Sequence, residues 1–251
     1  MTSYRLSSPA PGVFFAEGSS VNWVIVAGSR GPVLIDTGYP ADAAAVRASL
    51  REAGWEASDL VAILITHGHG DHIGNAAALA DEAGCPVYAD PDELANIRRE
   101  ILEQISVPDL LPHIFRPGVA RWALHAIKAG GKKAAPVASV LPFPEDAVEQ
   151  LGVEIAAVRL PGHTRGHSGY RLPAHGVLIV GDALVTAHPT SPLHGPQLLP
   201  SAFHGSPERA REALDVLDGV PAGLVLPGHG PLLRTSPADA AARAAASGPA
   251  F

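Results

Sequence analysis

One short segment of the chain concentrates side chains that bind metals. Residues 67–72 read HGHGDH, so three imidazoles and one carboxylate lie within six residues. Imidazole nitrogens and carboxylate oxygens suit zinc and similar divalent cations. The glycines at positions 68 and 70 are expected to let the backbone turn sharply, so that alternate side chains converge. Closed structural zinc sites usually rely on cysteine, and none lies nearby, so the segment favours a reactive metal site.

Three further candidate ligands follow apolar segments later in the chain. His163, Asp182 and His229 come shortly after residues 153–160, 177–180 and 223–226, and each is directly preceded by a glycine. A single histidine or aspartate at a strand end is more often structural, but here the same local pattern occurs three times. The sequence therefore predicts one site formed by His67, His69, Asp71, His72, His163, Asp182 and His229.

The pattern of apolar residues predicts the elements that position these ligands. Residues 60–65 are continuously apolar, which is typical of a buried strand, and the HGHGDH segment follows almost directly. Alanine-rich segments that end at glycine predict helices. The predicted strands are 13–16, 22–27, 33–36, 60–65, 86–89, 153–160, 168–172, 177–180 and 223–226, and the predicted helices outside 91–135 are 41–53, 75–83, 207–217 and 237–246. Strands followed by helices, twice over, indicate an α+β sandwich of two similar halves.

Residues 91–135 interrupt this rhythm and predict a helical insert within a single domain of residues 1–251. Residues 91–105 and 110–128 are predicted helices, and Gly130, Gly131 and Pro136 end the segment. The insert has more apolar side chains than two short helices can bury against each other. It is expected to pack on the sandwich, to form a lid that gives the site an apolar wall, or to form the seam of a homodimer.

Composition argues against several classes of protein. Of the 251 residues, 47% are hydrophobic, which is enough for a large core, and the formal net charge is −7. Lysine and arginine form no dense run, so we expect no nucleic-acid partner. Cys85 is the single cysteine, which excludes an internal disulfide and fits a reducing compartment. The first residues lack the apolar segment of a signal peptide, and no apolar run approaches ~18 residues, so we expect a cytoplasmic protein without a membrane span.

Five motifs together resemble those of the metallo-β-lactamase superfamily. They are LIDTG (34–38), THGHGDHIGN (66–75), PGHTRGH (161–167), GDA (181–183) and PGHG (227–230). The resemblance extends from about Val13 to Pro231, and it implies a four-layer αββα sandwich with the metals at one edge, between the two sheets. It also implies how the ligands divide: the first metal takes His67, His69 and His163, the second takes Asp71, His72 and His229, and Asp182 bridges both.

The resemblance implies a metal-dependent hydrolase that acts on a small molecule. Two divalent ions about 3.5–4 Å apart can share a hydroxide, which is a nucleophile at neutral pH. Asp71 and Asp182 are the expected catalytic carboxylates. Zinc is the expected metal, with iron or manganese as substitutes, because all the ligands are nitrogen and oxygen donors. The expected reaction is hydrolysis of an ester, thioester, lactone or related bond.

Departures from the patterns of individual branches leave the substrate open. Exported β-lactamases of this fold typically carry cysteine or serine at the position of Asp182. Glyoxalase-II-like thioesterases share the seven ligands but usually add a basic C-terminal helical domain, whereas only Arg234 and Arg243 follow His229 as basic residues here. Acyl-homoserine lactonases carry a tyrosine where Val185 stands. The alternatives are an oxidoreductase similar to the mononuclear-iron persulfide dioxygenases and a non-catalytic metal-binding protein.

Other polar residues near the motifs have supporting roles in this interpretation. Asp36 and Thr66 are expected either to orient the ligand loop by hydrogen bonds or only to stabilise a turn. His167 is expected to pack beside the site or support a ligand rather than bind metal. Residues 189–203, rich in proline, glycine and serine, are predicted to form a loop that borders the site. The histidines in or beside this loop could relay a proton, although simple exposure is the plainer expectation; they are His188, His194 and His204.

Overall fold

Two β-sheets packed face to face form the centre of the molecule, and helices cover both outer surfaces. The computed structural model describes residues 3–105 and 107–247, with the backbone alone at positions 107 and 109. The predicted α+β sandwich of four layers is confirmed.

The two sheets differ in size and in strand direction. The first sheet runs in chain order, antiparallel from β1 to β4 and parallel from β4 to β7. Its strands are β1 (Arg5–Ala10), β2 (Val13–Glu17), β3 (Asn22–Gly28), β4 (Gly31–Ile35), β5 (Ala62–Leu64), β6 (Val87–Ala89) and β7 (Leu141–Pro142). The second sheet has the order β11-β10-β9-β8, and only its β10–β11 pair is parallel. Its strands are β8 (Ala156–Arg159), β9 (Ser168–Leu172), β10 (Val177–Gly181) and β11 (Leu224–Pro227).

The helices connect and cover these strands. They are α1 (Ala43–Glu52), α2 (Ala76–Ala83), α3 (Leu94–Ile97), α4 (Val107–Leu110), α5 (Val119–Lys128), α6 (Ala147–Leu151), α7 (Pro207–Asp218) and α8 (Pro237–Ser247). Short 3₁₀ turns lie at Pro40–Asp42, Ala57–Asp59, Pro91–Glu93, Leu111–His113, Pro173–His175 and Ser201–Phe203. No helix in the described part of the chain is long and apolar enough to cross a membrane.

Apolar side chains on both faces of the central strands explain the layering. In β3, Val24 and Val26 pack between the sheets, whereas Trp23 and Ile25 pack against α1 and α2 on the outer face. The alternation follows from the two-residue period of a strand. Strands β10 and β11 repeat the pattern against α7 and α8. Burial on both faces accounts for the continuous apolar runs in the sequence.

The helical insert is more broken than the sequence predicts. The predicted helix 91–105 is wrong beyond α3, because Arg99 adopts a positive φ of 60° and its guanidinium donates to the carbonyl of Gly68. The predicted helix 110–128 is wrong before Val119. Pro117 and Gly118 interrupt it, since proline disfavours a helical residue before it and Gly118 has a φ of 84°.

Four short elements were not predicted, namely strands β1 and β7 and helices α4 and α6. Two predicted strands are shorter than expected, and residues 60–65 form only β5. Strand β1 has few residues that favour strands, and it lies at the sheet edge, where Pro9 is tolerated. Strand β7 and helix α6 are too short to show periodicity. The predicted strand 153–160 pairs with its neighbour only as β8, at residues 156–159.

Candidate metal centre

Strand ends bring the predicted ligands to one edge of the sandwich. The HGHGDH segment follows β5, Asp182 directly follows β10, and His229 follows β11. His163 lies in the connection between β8 and β9. The seven predicted residues meet there in three overlapping groups, within each of which the candidate ligand atoms lie within 4.8 Å of one another. The groups are His67, His69 and His163; His67, His72 and Asp182; and Asp71, His72 and His229.

The two glycines of the HGHGDH segment are needed for space rather than for an unusual backbone. Neither Gly68 nor Gly70 has a positive φ, although the backbone does turn after His69, whose carbonyl accepts from the amides of His72 and Ile73. A Cβ on Gly68 would lie 2.7 Å from the side-chain nitrogen of Asn96, and one on Gly70 would collide with the carbonyl oxygen of Gly131. The ligand loop therefore packs directly against the helical insert.

Asp182 lies at the centre of the cluster. Its Oδ2 atom lies 3.1 Å from Nε2 of His229 and 3.5 Å from Nε2 of His163. Its Oδ1 atom lies 3.5 Å from Nε2 of His72. Asp71 approaches the same cluster from the solvent side, with Oδ2 3.7 Å from Nε2 of His229. The carboxylate of Asp182 thus faces residues from both proposed ligand sets.

Four of the five candidate imidazoles are held from behind by a hydrogen bond. The nitrogen that faces away from the cluster contacts a fixed oxygen atom in each case. The pairs are His67 Nδ1 with Thr66 Oγ1 at 3.1 Å, His69 Nε2 with Glu103 O at 2.5 Å, His72 Nδ1 with Asp36 Oδ2 at 2.8 Å, and His229 Nδ1 with Ser20 O at 2.5 Å. If the far nitrogen carries the proton, the near nitrogen of each neutral ring presents a lone pair to the cluster.

This arrangement of lone pairs fits divalent cations. His67 Nε2, His72 Nε2 and Asp182 Oδ1 are buried without a hydrogen-bond partner in the described structure. His69 Nδ1 and His163 Nε2 lie 3.0 Å apart. Buried polar atoms without partners are unfavourable, and divalent cations bound among these groups would provide the partners.

Charges within the cluster indicate competition between protons and cations. Burial lowers the pKa of His72, but the carboxylates of Asp36 and Asp182 outweigh that effect and raise it to about 10. Burial lowers the pKa of His67 and of His163 well below the usual value, and neighbouring imidazoles add to the effect. A chain without cations therefore keeps a proton on His72, and metal binding has to displace it.

Asp36 and Thr66 orient the ligand loop by hydrogen bonds, which was the first of the two roles expected from the sequence. Asp36 Oδ1 accepts from the amide of Thr66 at 2.9 Å, and Oδ2 accepts from the Thr66 hydroxyl at 2.8 Å in addition to its contact with His72. Asp36 has a φ of 59°, which is rare for a residue other than glycine. These contacts hold that conformation and fix the rings of His67 and His72 together.

His167 lies behind Asp182 rather than among the ligand atoms. Its Nε2 atom accepts a hydrogen bond of 3.0 Å from the backbone amide of Asp182. Burial lowers the pKa of His167 to about 3, so the ring is neutral and can accept this bond. The structure therefore gives His167 the supporting position that the sequence suggested.

Glu93 is a supporting residue that sequence reasoning missed. It is fully buried at the start of the insert, and Oε1 accepts from the amide of Gly68 at 2.7 Å and from Asn96 Nδ2 at 2.7 Å. Oε2 accepts from the Thr164 hydroxyl at 2.8 Å and from the amide of Gly166 at 2.9 Å. One carboxylate thus joins the loop of His67 and His69 to the loop of His163. Nothing in the local sequence distinguishes Glu93 from an exposed acid in a first helical turn.

Tyr39 is a second residue that the sequence analysis overlooked. It directly follows the LIDTG motif, and that position could have drawn attention to it. The side chain is buried beside the cluster, where it hydrogen-bonds to Asp71. Burial raises the pKa of Tyr39 well above its usual value, and the nearby Asp71 carboxylate adds to the shift. The phenol therefore stays protonated and can hold the Asp71 carboxylate in position.

The cleft beside the cluster has an apolar wall that the insert and the 189–203 loop build together. Ile105, Leu110 and Trp122 of the insert pack against Leu199 and Phe203 of the loop. The same residues line the cleft together with His69, Asp71, His163, Asp182 and His229. The insert therefore contributes to the site, as its interpretation as a lid requires.

Not all apolar residues of the insert face the cleft or the core. Phe115 is 95% exposed, and the side chains of Leu102, Leu111 and Leu124, which do not line the cleft, are also largely exposed. The expectation that the whole insert packs on the sandwich is therefore wrong. The homodimer seam stays a prediction.

The histidines near the loop occupy three different environments. His194 is exposed, as expected. His188 is only 6% exposed and lines the cleft, so the expectation of an exposed residue is wrong there. His204 is partly buried, and its Nε2 atom lies 3.0 Å from the carbonyl of Leu199. Burial lowers the pKa of His188 to about 3, which argues against a protonated, acid-donating imidazole at this position.

Comparison with known proteins identifies the family by sequence. The profile of the metallo-beta-lactamase superfamily matches residues 16–229. A relative from Bacillus subtilis, named "Probable metallo-hydrolase YflN", is 28% identical over 79% of this chain and 75% of its own length. The hydroxyacylglutathione hydrolase of Xanthomonas campestris is 27% identical over 82% of this chain. That match spans only 59% of the Xanthomonas enzyme.

Solved structures share the fold at low sequence identity. A metallo-beta-lactamase family protein from Thermus thermophilus aligns with a TM-score of 0.68 and 22% identity, over 94% of this chain and 79% of that protein. The subclass B3 metallo-beta-lactamase BJP-1 of Bradyrhizobium japonicum aligns with a TM-score of 0.67 and 16% identity, over 96% of this chain and 91% of that protein. At these identities the likeness concerns the fold alone.

Proposed function

This chain belongs to the metallo-β-lactamase superfamily and is a metallohydrolase of that fold, and we propose that it uses two divalent cations to cleave an ester, thioester or lactone in a small molecule. The observation that carries the proposal is the convergence of all seven predicted ligands, with Asp182 between the two sets. Zinc is the metal we propose, because the donor set consists of imidazoles and carboxylates.

The proposed division of the ligands follows the contacts around Asp182. His67, His69 and His163 would hold one cation, and their near nitrogens already converge. Asp71, His72 and His229 would hold the other, and Asp182 would contact both. The hydrogen bonds behind four of the imidazoles keep those rings in the tautomer and orientation that binding requires.

The chain's own residues would prepare the site for hydrolysis. When bound, the cations would lower the pKa of water and polarise the carbonyl of the substrate. Tyr39 keeps Asp71 in place from the side of the cleft, and His167 does the same for the backbone of Asp182. The apolar wall around Trp122 and Phe203 would exclude water and bind the acyl part of the substrate.

The lining of the cleft favours a neutral or weakly charged substrate with an apolar group. Away from the metal cluster, Lys132 is the basic side chain and Gln104 an uncharged polar one among the lining residues, and the others are mostly aliphatic or aromatic. The Xanthomonas relative is named for a thioester of glutathione, and thioesters are one of the classes we propose here.

A substrate panel with the zinc-loaded protein tests this proposal. We expect turnover of at least one class among aryl esters, acyl thioesters and lactones, and loss of that turnover in Asp182→Asn at unchanged fold by circular dichroism. A matched control is Asp81→Asn, which alters an exposed acid on α2. Absence of turnover for all three classes, with two zinc ions bound, would refute the proposed function. Consumption of oxygen with a persulfide substrate would favour the dioxygenase-like alternative.

A further inference from the structure

The imidazole of His188 lies between the metal cluster and the apolar wall. Its ring centre is 5.0 Å from that of His229, 5.6 Å from that of Trp122 and 5.7 Å from that of Phe203. All four residues line the same cleft. Aromatic neighbours therefore hold the ring between the two regions of the cleft, one beside the metal cluster, where the reacting carbonyl of a substrate would lie, and one beside the apolar wall, where its apolar part would lie.

The contacts of one ring nitrogen define which nitrogen carries the proton. The backbone amide of Thr190 donates to Nδ1 of His188 at 3.3 Å, and the Thr190 hydroxyl lies 2.6 Å from the same atom. An amide can only donate, so Nδ1 must be the acceptor and the proton of the neutral ring must lie on Nε2. The Nε2–H group lies on the side of the ring away from Thr190. Within the described chain the Nε2 atom has no hydrogen-bond partner, and it is partly accessible to solvent.

A donor in this position has a consequence for substrate choice. His188 lines the cleft and also a shallower pocket beside Asn22, and the inference places its Nε2–H group on the side of the cleft, where water can satisfy it while the cleft is open. A purely hydrocarbon acyl group would displace that water and leave the donor unpaired, which costs about 1–3 kcal/mol. A substrate with an oxygen atom at this point would replace the lost hydrogen bond.

We propose that Nε2–H of His188 donates a hydrogen bond to an oxygen atom of the acyl group close to the scissile carbonyl, so that the cleft selects acyl groups bearing a hydroxyl or carbonyl oxygen on the second or third carbon. The inference rests on the proposed function, because it assumes that the acyl group binds beside the metal cluster. In this proposal His188 binds and selects the substrate, and it does not relay a proton. His188 is then a substrate-binding residue whose tautomer Thr190 determines.

The tautomer can be measured in the zinc-loaded protein without any substrate. Two-bond ¹⁵N–¹H correlation spectra of labelled histidine distinguish a proton on Nε2 from one on Nδ1. We expect His188 to show the Nε2–H form at pH 7, and Thr190→Val to weaken that preference. A wild-type spectrum with the proton on Nδ1 overturns the inference.

Selection can be measured by binding, independently of turnover. The probes are butanoate and 3-hydroxybutanoate, two carboxylates that differ by one hydroxyl, titrated into zinc-loaded wild type and His188→Phe. We expect the hydroxyl to improve Kd in wild type by about tenfold more than in His188→Phe, as one hydrogen bond in a desolvated site would do. His188→Gln, which keeps a donor at similar reach, should retain part of the preference. The exposed His194→Phe is the matched control and should retain all of it.

The two proposals fail in different ways. Equal hydroxyl preference in wild type and His188→Phe, with zinc content unchanged in both, overturns the role of His188 even if esters are hydrolysed. Absence of turnover on every substrate class refutes the proposed function while the binding comparison still decides the role of His188.

Discussion

Glu93→Gln tests whether one buried carboxylate holds the two histidine loops together. Glutamine keeps the shape of the side chain but replaces one acceptor oxygen by an NH₂ group. If the amide nitrogen takes the place of Oε2, it faces the Thr164 hydroxyl and the Gly166 amide, which both donate to that oxygen in the wild type. If it takes the place of Oε1, it faces the Gly68 amide and Asn96 Nδ2 instead. The Thr164 hydroxyl can rotate and accept from the amide nitrogen, so the first orientation removes one hydrogen bond and reverses another, whereas the second removes two. Either orientation leaves one buried backbone N–H without an acceptor.

The size of the effect follows from the number of bonds lost. Hydrogen bonds to a charged group contribute about 1.5–3 kcal/mol each, so losing one or two lowers the free energy of unfolding by roughly 1.5 kcal/mol or more. A chain of this size loses about 2–4 °C in Tm for each kcal/mol, so Tm should fall by at least about 3 °C. Zinc affinity should fall by about 10- to 100-fold, because the loops that carry His67, His69 and His163 are no longer joined.

Calorimetry and zinc titration are the assays, and a matched variant is available in the same insert. Glu100→Gln changes an exposed glutamate seven residues further on and should alter neither Tm nor zinc affinity. If Glu93→Gln unfolds within about 1 °C of the wild type and binds zinc equally well, the four hydrogen bonds do not hold the loops, and the reasoning is refuted.

Four further predictions concern the metals, pH, substrate length and assembly. Purified protein should contain about two divalent ions per chain, and Asp182→Ala should lower occupancy of both sites; elemental analysis showing full loading would contradict the bridging role. Because His72 keeps an extra proton in the metal-free chain, zinc affinity should rise with pH between 5 and 8, by up to about tenfold per pH unit if one proton is released. Calorimetry in several buffers measures the released proton, and a zinc affinity that does not change with pH would contradict this prediction. In a series of acyl substrates, kcat/KM should climb roughly fourfold per added CH₂, from about 0.8 kcal/mol of burial. Trp122→Ala should flatten this trend, whereas Phe115→Ala, with its exposed ring, should keep it. If the exposed face of the insert is a homodimer seam, light scattering should give a dimer that Phe115→Ala dissociates; a monomeric wild type would remove that prediction.

The supporting contacts also explain how the site tolerates so many buried polar groups. Asp36, Glu93 and His167 each accept hydrogen bonds from the backbone of a ligand loop or of Asp182. Their partners come from segments far apart in the sequence, so the loops are fixed relative to one another before any cation binds. Because the loops are already ordered, metal binding loses little free energy to ordering them, and the metal affinity is higher.

The sequence by itself determined the layers and which residues meet in the cluster. His67, His69, Asp71 and His72 could be recognised because they lie within one short segment. His163, Asp182 and His229 could be recognised because each follows an apolar strand and a glycine. Strands β3, β5, β10 and β11 were predictable because burial on both faces gives continuous apolar runs, which is a local signal.

Only the tertiary structure decided how the insert folds and which residues support the site. Helix α3 ends early because Arg99 donates to the carbonyl of Gly68, thirty-one residues earlier in the chain. The periodicity of apolar residues along the helix cannot predict such a distant contact. Glu93 became a central acceptor, and His188 became a buried part of the cleft, through contacts with loops that are remote in sequence. The physical reason is the same in each case: side-chain chemistry and periodicity are local properties, whereas burial and hydrogen-bond partners depend on which distant segments the fold brings together.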